Sequence, residues 1–162
     1  MRIGIIIGRI GDVDGVALET EKWISVLEGL GHEVFILSGR FKGHPVPPER
    51  QALFPILSFF SPECEWEQKR AFHFPPDDPD LLLSTLDKNA SRIAEHIVSW
   101  VHTNHIDMIL SQNASALPSH LSMGMGIQKA VKQLGLPVVT HDHDFAWERG
   151  DRYNTHFSEV EA

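Results

Sequence analysis

The sequence predicts an α/β domain: an open, mainly parallel sheet with helices on both faces. Two observations carry this. Short, nearly unbroken apolar runs recur along the chain, as suits strands buried on both sides. Between them lie longer segments whose apolar residues repeat every three or four positions, as on helices packed against a sheet.

Residues 3–7 form the first such run, interrupted only by Gly4 and ended by Gly8. A loop with Gly8, Gly11 and Gly15 follows. A helical stripe of Val16, Thr20, Trp23, Leu27 and Leu30 comes next, with Gly31 as its stop. Residues 33–37 read as a second buried strand, so the first forty residues make a right-handed βαβ crossover. Prolines 45, 47, 48, 55, 62, 75 and 76 break residues 39–78 into short pieces. A short edge strand is expected around Pro55, and residues 61–78 read as an irregular surface excursion. A long helix is expected over 79–104, with Asp78 as N-cap and Leu82, Leu86, Ala90, Ile93, Ile97 and Trp100 on one face. Residues 107–111 give a third strand, 118–134 a helix stopped by Gly135, and 136–140 a fourth strand. The whole is a Rossmann-like, doubly wound order. Ligands in such sheets bind beyond the carboxyl ends of the strands. That rule selects three loops: residues 9–15, 112–118 and 141–153.

The 162-residue chain suits one domain with a sizeable core. Its formal net charge of −8 argues against non-specific nucleic-acid binding, which needs clustered Lys and Arg. Cys64 is the sole cysteine, which excludes an internal disulfide and a cysteine-based zinc site. Nothing in the sequence approaches a transmembrane span or a secretory leader. A cytoplasmic protein is expected.

The glycine loop Gly8-Arg-Ile-Gly-Asp-Val-Asp-Gly15 precedes a helix N-terminus, where free N–H groups and the helix dipole favour an anion. Its spacing is neither the dinucleotide fingerprint nor a Walker A loop. A plain tight connection between strand and helix accounts for the same glycines. His141-Asp-His-Asp144 places His141 and His143 on one side of an extended segment. That pair fits a metal-dependent hydrolase if further ligands join it, since zinc needs three or four. A catalytic or substrate-binding role is the reading preferred to a metal, and charged residues that merely solvate a loop are the blander alternative. Trp147, with Glu148 and Arg149, can form a sugar platform, its ring on the sugar C–H face and the carboxylate on hydroxyls. A surface ion pair beside a packed indole is the blander alternative. Asn113 offers an amide at the same rim or serves as a turn residue. Cys64 has no evident base partner, so no thiol nucleophile is expected.

Several of these blocks resemble the retaining glycosyltransferases of the glycogen-synthase and sucrose-phosphate-synthase type. They are GDVDGVALETEKWISVLEGLGHEV, Ser111-Gln-Asn113, Gly135-Leu-Pro-Val-Val139 and His143-Asp-Phe-Ala-Trp-Glu-Arg149. Residues 42–78 have no match. The resemblance implies the N-terminal, acceptor-side half of a GT-B fold, in which two Rossmann-like domains face across a cleft. It implies that Gly11, Asp14, Gly15 and Val16 border the donor diphosphate and sugar. It implies that His143, with His141 as second choice, lies near the reacting sugar. Asp144, Trp147, Glu148 and Arg149 would shape the acceptor pocket. The nucleotide-sugar is a substrate, and no cofactor or metal is implied. The family's donor-binding domain has no counterpart in these residues. The chain is therefore expected to be inactive alone, as part of a longer polypeptide or one subunit of a split enzyme. A non-catalytic binding or assembly module is the remaining alternative.

Overall fold

The computed structural model describes residues 1–115, 118–143, 145–155, 157 and 160. Five strands form one parallel sheet: β1 (Arg2–Ile7), β2 (Glu33–Ser38), β3 (Gln51–Leu53), β4 (Met108–Gln112) and β5 (Val138–His141). Their spatial order is β3-β2-β1-β4-β5. The chain winds outward from β1 in one direction through β2 and β3, then in the other through β4 and β5. Among the residues described, the α-helices with defined bounds are α1 (Gly15–Gly29), α2 (Pro62–Gln68), α3 (Asp80–Asn104) and α4 (Leu121–Leu134). This is the doubly wound, Rossmann-like architecture expected from the alternation of strands and helices. Among the described residues no helix is long and apolar enough to cross a membrane.

The pleat explains the apolar runs. Ile3, Ile5 and Ile7 of β1 join Val34, Ile36 and Leu110 in a core under Ile24 of α1. Ile6, Phe35, Leu37 and Ile109 face the other way, against Ile93, Ile97 and Trp100 of α3 and Met123 and Ile127 of α4. Each fully buried aliphatic side chain contributes about 1.5–3 kcal/mol, so a strand apolar on both faces is held from both sides. Helices α3 and α4 approach closely because Gly126 has no side chain. A Cβ there would lie 2.6 Å from Ile93 Cγ2 and 2.9 Å from the Ala90 carbonyl oxygen.

Several expectations are corrected. On α1 the buried stripe is Ala17, Thr20 and Ile24, while Trp23 and Leu30 are exposed. Thr20 tolerates burial because its hydroxyl donates to the Val16 carbonyl at 2.7 Å. The edge strand precedes Pro55, which opens a 3₁₀ turn instead. Residues 62–73 are helical, α2 followed by a single π turn over Lys69–His73. Pro79, not Asp78, occupies the N-cap position of α3, and Asp78 accepts a hydrogen bond from the Asp80 N–H at 2.9 Å. Helix α4 starts at Leu121, after Pro118 and Ser119 have formed a turn.

Candidate functional site

The sheet order reverses between β1 and β4, and the crevice that opens there is where a doubly wound sheet receives ligands. A cavity of about 380 Å³ occupies this point. Ile7 at the end of β1 and Asn113 just past β4 contribute to it, as do Arg9, Asp14 and Val16 from the first loop and helix start. Phe59, Phe60, Gln68 and Ser119 come from the segments before and after α3. Arg149, Arg152 and Tyr153 complete it from a 3₁₀ segment, Ala146–Tyr153. The three rim segments singled out in the sequence therefore meet around this cavity.

Its polar lining is cationic in a chain that is otherwise acidic. Arg9, Arg149 and Arg152 line it, with Asp14 as the one carboxylate among the described residues. Asp14 is engaged twice already. One carboxylate oxygen caps α1 by accepting from the Ala17 N–H at 3.0 Å, and the other lies 3.0 Å from Arg9 Nε. The Arg9 guanidinium stands 5.2 Å from the Phe60 ring centroid, and that of Arg152 stands 5.5 Å from the Tyr153 ring. Tyr153 and Ser119 share a hydrogen bond of 2.9 Å between their hydroxyls. Guanidinium groups beside hydroxyls and aromatic edges suit a ligand that combines an anionic group with sugar-like hydroxyls.

Of the residues predicted for the site, Asp14, Val16, Asn113 and Arg149 line this cavity, whereas Gly11 lines a separate hollow with Lys42 and His44. Gly11 has a φ of 87°, in the left-handed region that favours glycine. A Cβ there would overlap the Lys42 carbonyl oxygen, because residues 10 and 41 form a parallel bridge alongside. The bridge requires this glycine irrespective of any ligand. Gly15 is the first residue of α1, with open space where a Cβ would stand. Asn113, with φ 51°, joins two strand ends. Its N–H donates to the His141 carbonyl at 2.9 Å, and its side-chain oxygen accepts from the His143 N–H at 3.1 Å.

His141 and His143 lie ring to ring at 4.5 Å, and His141 packs against Trp23 of α1 at 5.4 Å. They sit beside the cavity, over α1, outside its lining. Trp147 is exposed and stacks parallel on Phe145 with 4.5 Å between centroids. Glu148 accepts from the Phe145 N–H at 2.8 Å. Asp144 lies outside the described residues. Among those that are described, no three His, Cys, Asp or Glu side chains come together as a metal site.

The rim also concentrates unpaired polar groups. Gln112 is fully buried, and both its amide atoms lack a hydrogen-bond partner among the described residues. The same holds for Nδ1 of His141, its register partner across the sheet. Such groups cost about 1–3 kcal/mol each, and they lie at the strand ends that border the cavity.

Sequence reasoning missed Arg9, Phe59, Phe60, Gln68, Ser119, Arg152 and Tyr153 as individual site residues. Arg9, Arg152 and Tyr153 fall inside segments it had selected, and the rim rule was the signal for them. Phe59 and Gln68 come from the proline-broken region, where no pattern pointed to a rim.

No family model matches the chain. It is 30% identical over 151 residues to the mannosylglucosylglycerate synthase of Thermotoga maritima. It is 22% identical over 150 residues to the mannosylglucosylglycerate synthase of Petrotoga mobilis. The likeness supports a glycosyltransferase domain. Both alignments take in 92% of this chain, and the chain spans about a third of the length (33%) of these curated relatives.

Proposed function

We propose that this chain is the N-terminal, acceptor-side domain of a GT-B glycosyltransferase that moves a sugar from a nucleotide-sugar donor to a hydroxylated, anionic acceptor. The observation that carries the reading is the arginine-lined cavity at the β1–β4 switch point. It occurs in a chain that matches sugar-conjugate synthases along nearly its whole length. The relatives' product name contains glycerate, a carboxylate. A cavity with Arg9, Arg149 and Arg152 suits such a group, since planar guanidinium binds carboxylate through paired N–H donors. Ser119, Tyr153 and Gln68 supply donors and acceptors for sugar hydroxyls.

In this reading the first turn of α1 and the adjoining loop face the donor diphosphate, whose departing charge the helix dipole and Arg9 offset. His143 is the residue closest in role to the reacting sugar, with His141 beside it. Asp144, Trp147 and Glu148 border the acceptor side. A second domain supplies most nucleotide contacts, and the chain alone is inactive. Sugar transfer by the full-length polypeptide, with mannose nucleotides as donors and glycerate-bearing sugars as acceptors, tests the reading. His143→Ala is expected to lower kcat by about a hundredfold, a typical loss for one group acting at the transition state. Unchanged turnover in that variant would remove His143 from the mechanism. Absence of any transfer by the full-length protein would remove the proposal.

A further inference from the structure

The most deeply buried polar cluster lies outside the cavity, between α2, α3 and α4. Glu67 has no exposed surface, Ser122 has none and His120 has 1%. His120 Nε2 lies 2.6 Å from the Ile56 carbonyl oxygen, which can only accept, so Nε2 carries a proton. His120 Nδ1 lies 3.2 Å from Glu67 Oε2. The Ser122 N–H and hydroxyl and the Asn89 side-chain amide also donate to the Glu67 carboxylate. These three donors, with His120 Nδ1 beside them, enclose the carboxylate on every side. Buried polar pairs satisfied in this way hold their partners in one geometry, since breaking either side strands an unpaired group.

What the pair connects is specific. The Ile56 carbonyl belongs to the turn that leads into Phe59 and Phe60. Gln68 follows Glu67, and Ser119 precedes His120. All four of these neighbours line the switch-point cavity. The same strands of chain are tied again close by. Gln68 Nε2 donates to the Pro118 carbonyl at 2.6 Å, and the Cys64 thiol donates to the Ser119 carbonyl at 3.0 Å. The Ser119 hydroxyl then meets Tyr153. Apolar packing alone is non-directional and would leave these three segments free to slide by fractions of an ångström.

We infer that Glu67 and His120 are positioning residues, a buried pair that fixes three separate segments so that Gln68, Ser119 and the Phe59–Phe60 wall stand in register around the cavity. Its functional meaning rests on the proposed acceptor site, and its structural meaning does not. Among the described residues, Cys64 of α2 is a further ionisable side chain close enough to feel the Glu67 charge. The Glu63–Arg92 contact of 3.8 Å between α2 and α3 lies toward solvent.

Tyr153 is the chain's one tyrosine, and it reports on this wall. In full-length protein labelled with ¹³C at tyrosine, the Tyr153 ring signal, assigned by its loss in Tyr153→Phe, is compared between wild type, Glu67→Gln and Asn89→Ala. Ile24→Ala, in the core under α1, serves as a control of general destabilisation. The expected result is a shifted Tyr153 signal in Glu67→Gln and a smaller shift the same way in Asn89→Ala, with Ile24→Ala unchanged. If Glu67→Gln does not fold, Asn89→Ala decides. An unmoved signal in the folded variants, or an equal shift in the control, overturns the inference. In the transfer assay Glu67→Gln should raise KM for the acceptor about tenfold while kcat falls less, the pattern of a displaced binding wall. A fall in kcat alone counts against it. Failure of transfer in wild type would sink the proposed function and leave the tyrosine result to judge the pair.

Discussion

Asp14 is where the structural and ligand readings of the glycine loop can be separated. Its side chain caps α1 through Ala17 and faces Arg9, with side-chain exposures of 23% and 32% for the two partners. Replacing it with alanine removes a cap worth about 1 kcal/mol, within a range of about 0.5–2. The ion pair adds about 0–1 kcal/mol, because both groups remain partly in water. The Asp14→Ala variant should therefore lose about 1–2 kcal/mol. For a domain of this length that is roughly 2–8 °C in Tm, at about 2–4 °C per kcal/mol. Asp14→Asn keeps an acceptor oxygen at the cap and loses only the charge, so it should stay within about 0.5 kcal/mol of wild type. Urea melts with an unchanged slope, alongside calorimetry, measure both. If Asp14→Asn is as damaging as Asp14→Ala, the charge matters and the cap does not. If Asp14→Ala is as stable as wild type, α1 does not depend on the cap, and the reason for an acid at this position must be sought in the ligand.

Other outcomes rest on the packing and the buried groups. Gly126→Ala should cost about 1–3 kcal/mol by forcing α3 and α4 apart at Ile93 and Ala90, and a wild-type melting curve would show that the helices can separate freely. Burial, and then the neighbouring Glu67 charge, pushes the Cys64 thiol up to about 12. The native protein should then resist thiol reagents at about pH 8 and react once denatured, whereas rapid native labelling would mean that α2 opens readily. For Glu67, burial alone would raise the carboxyl, but hydrogen bonds from His120 and Ser122 outweigh it and hold the group below the usual carboxylate range. With the folded value depressed, its contribution is full above the unfolded value of about 4.3 and is lost as pH falls through the folded one. Glu67→Gln should therefore flatten the dependence of stability on pH below about 4, and an acid limb identical to wild type would contradict this.

The parts of the fold that were legible in the sequence are those where burial is made from aliphatic residues. Ile3 to Ile7, the Leu82–Trp100 face of α3 and the glycine stops at 31 and 135 state their structure locally, because apolar period and backbone freedom are properties of neighbours. Helix α2 was missed for the opposite reason. Its buried residues, Cys64 and Glu67, with Ala71 in the turn after them, have helical spacing, but a glutamate in the middle of the stripe breaks the apolar pattern that would reveal it. That glutamate is buried because His120 and Ser122, more than fifty residues later, come to meet it. Separations of 53 and 55 residues leave no trace in local periodicity. The site divides the same way. Asp14 and Asn113 were readable as rim residues because each follows a strand, and turn chemistry favours their types there. The structure gives both a local task, the cap of α1 and the left-handed joint between β4 and β5, which the sequence reading of a ligand contact had not separated from binding. Gln68 and Ser119 reach the cavity as the chain neighbours of Glu67 and His120. Reading them as site residues requires knowing first that Glu67 is inside.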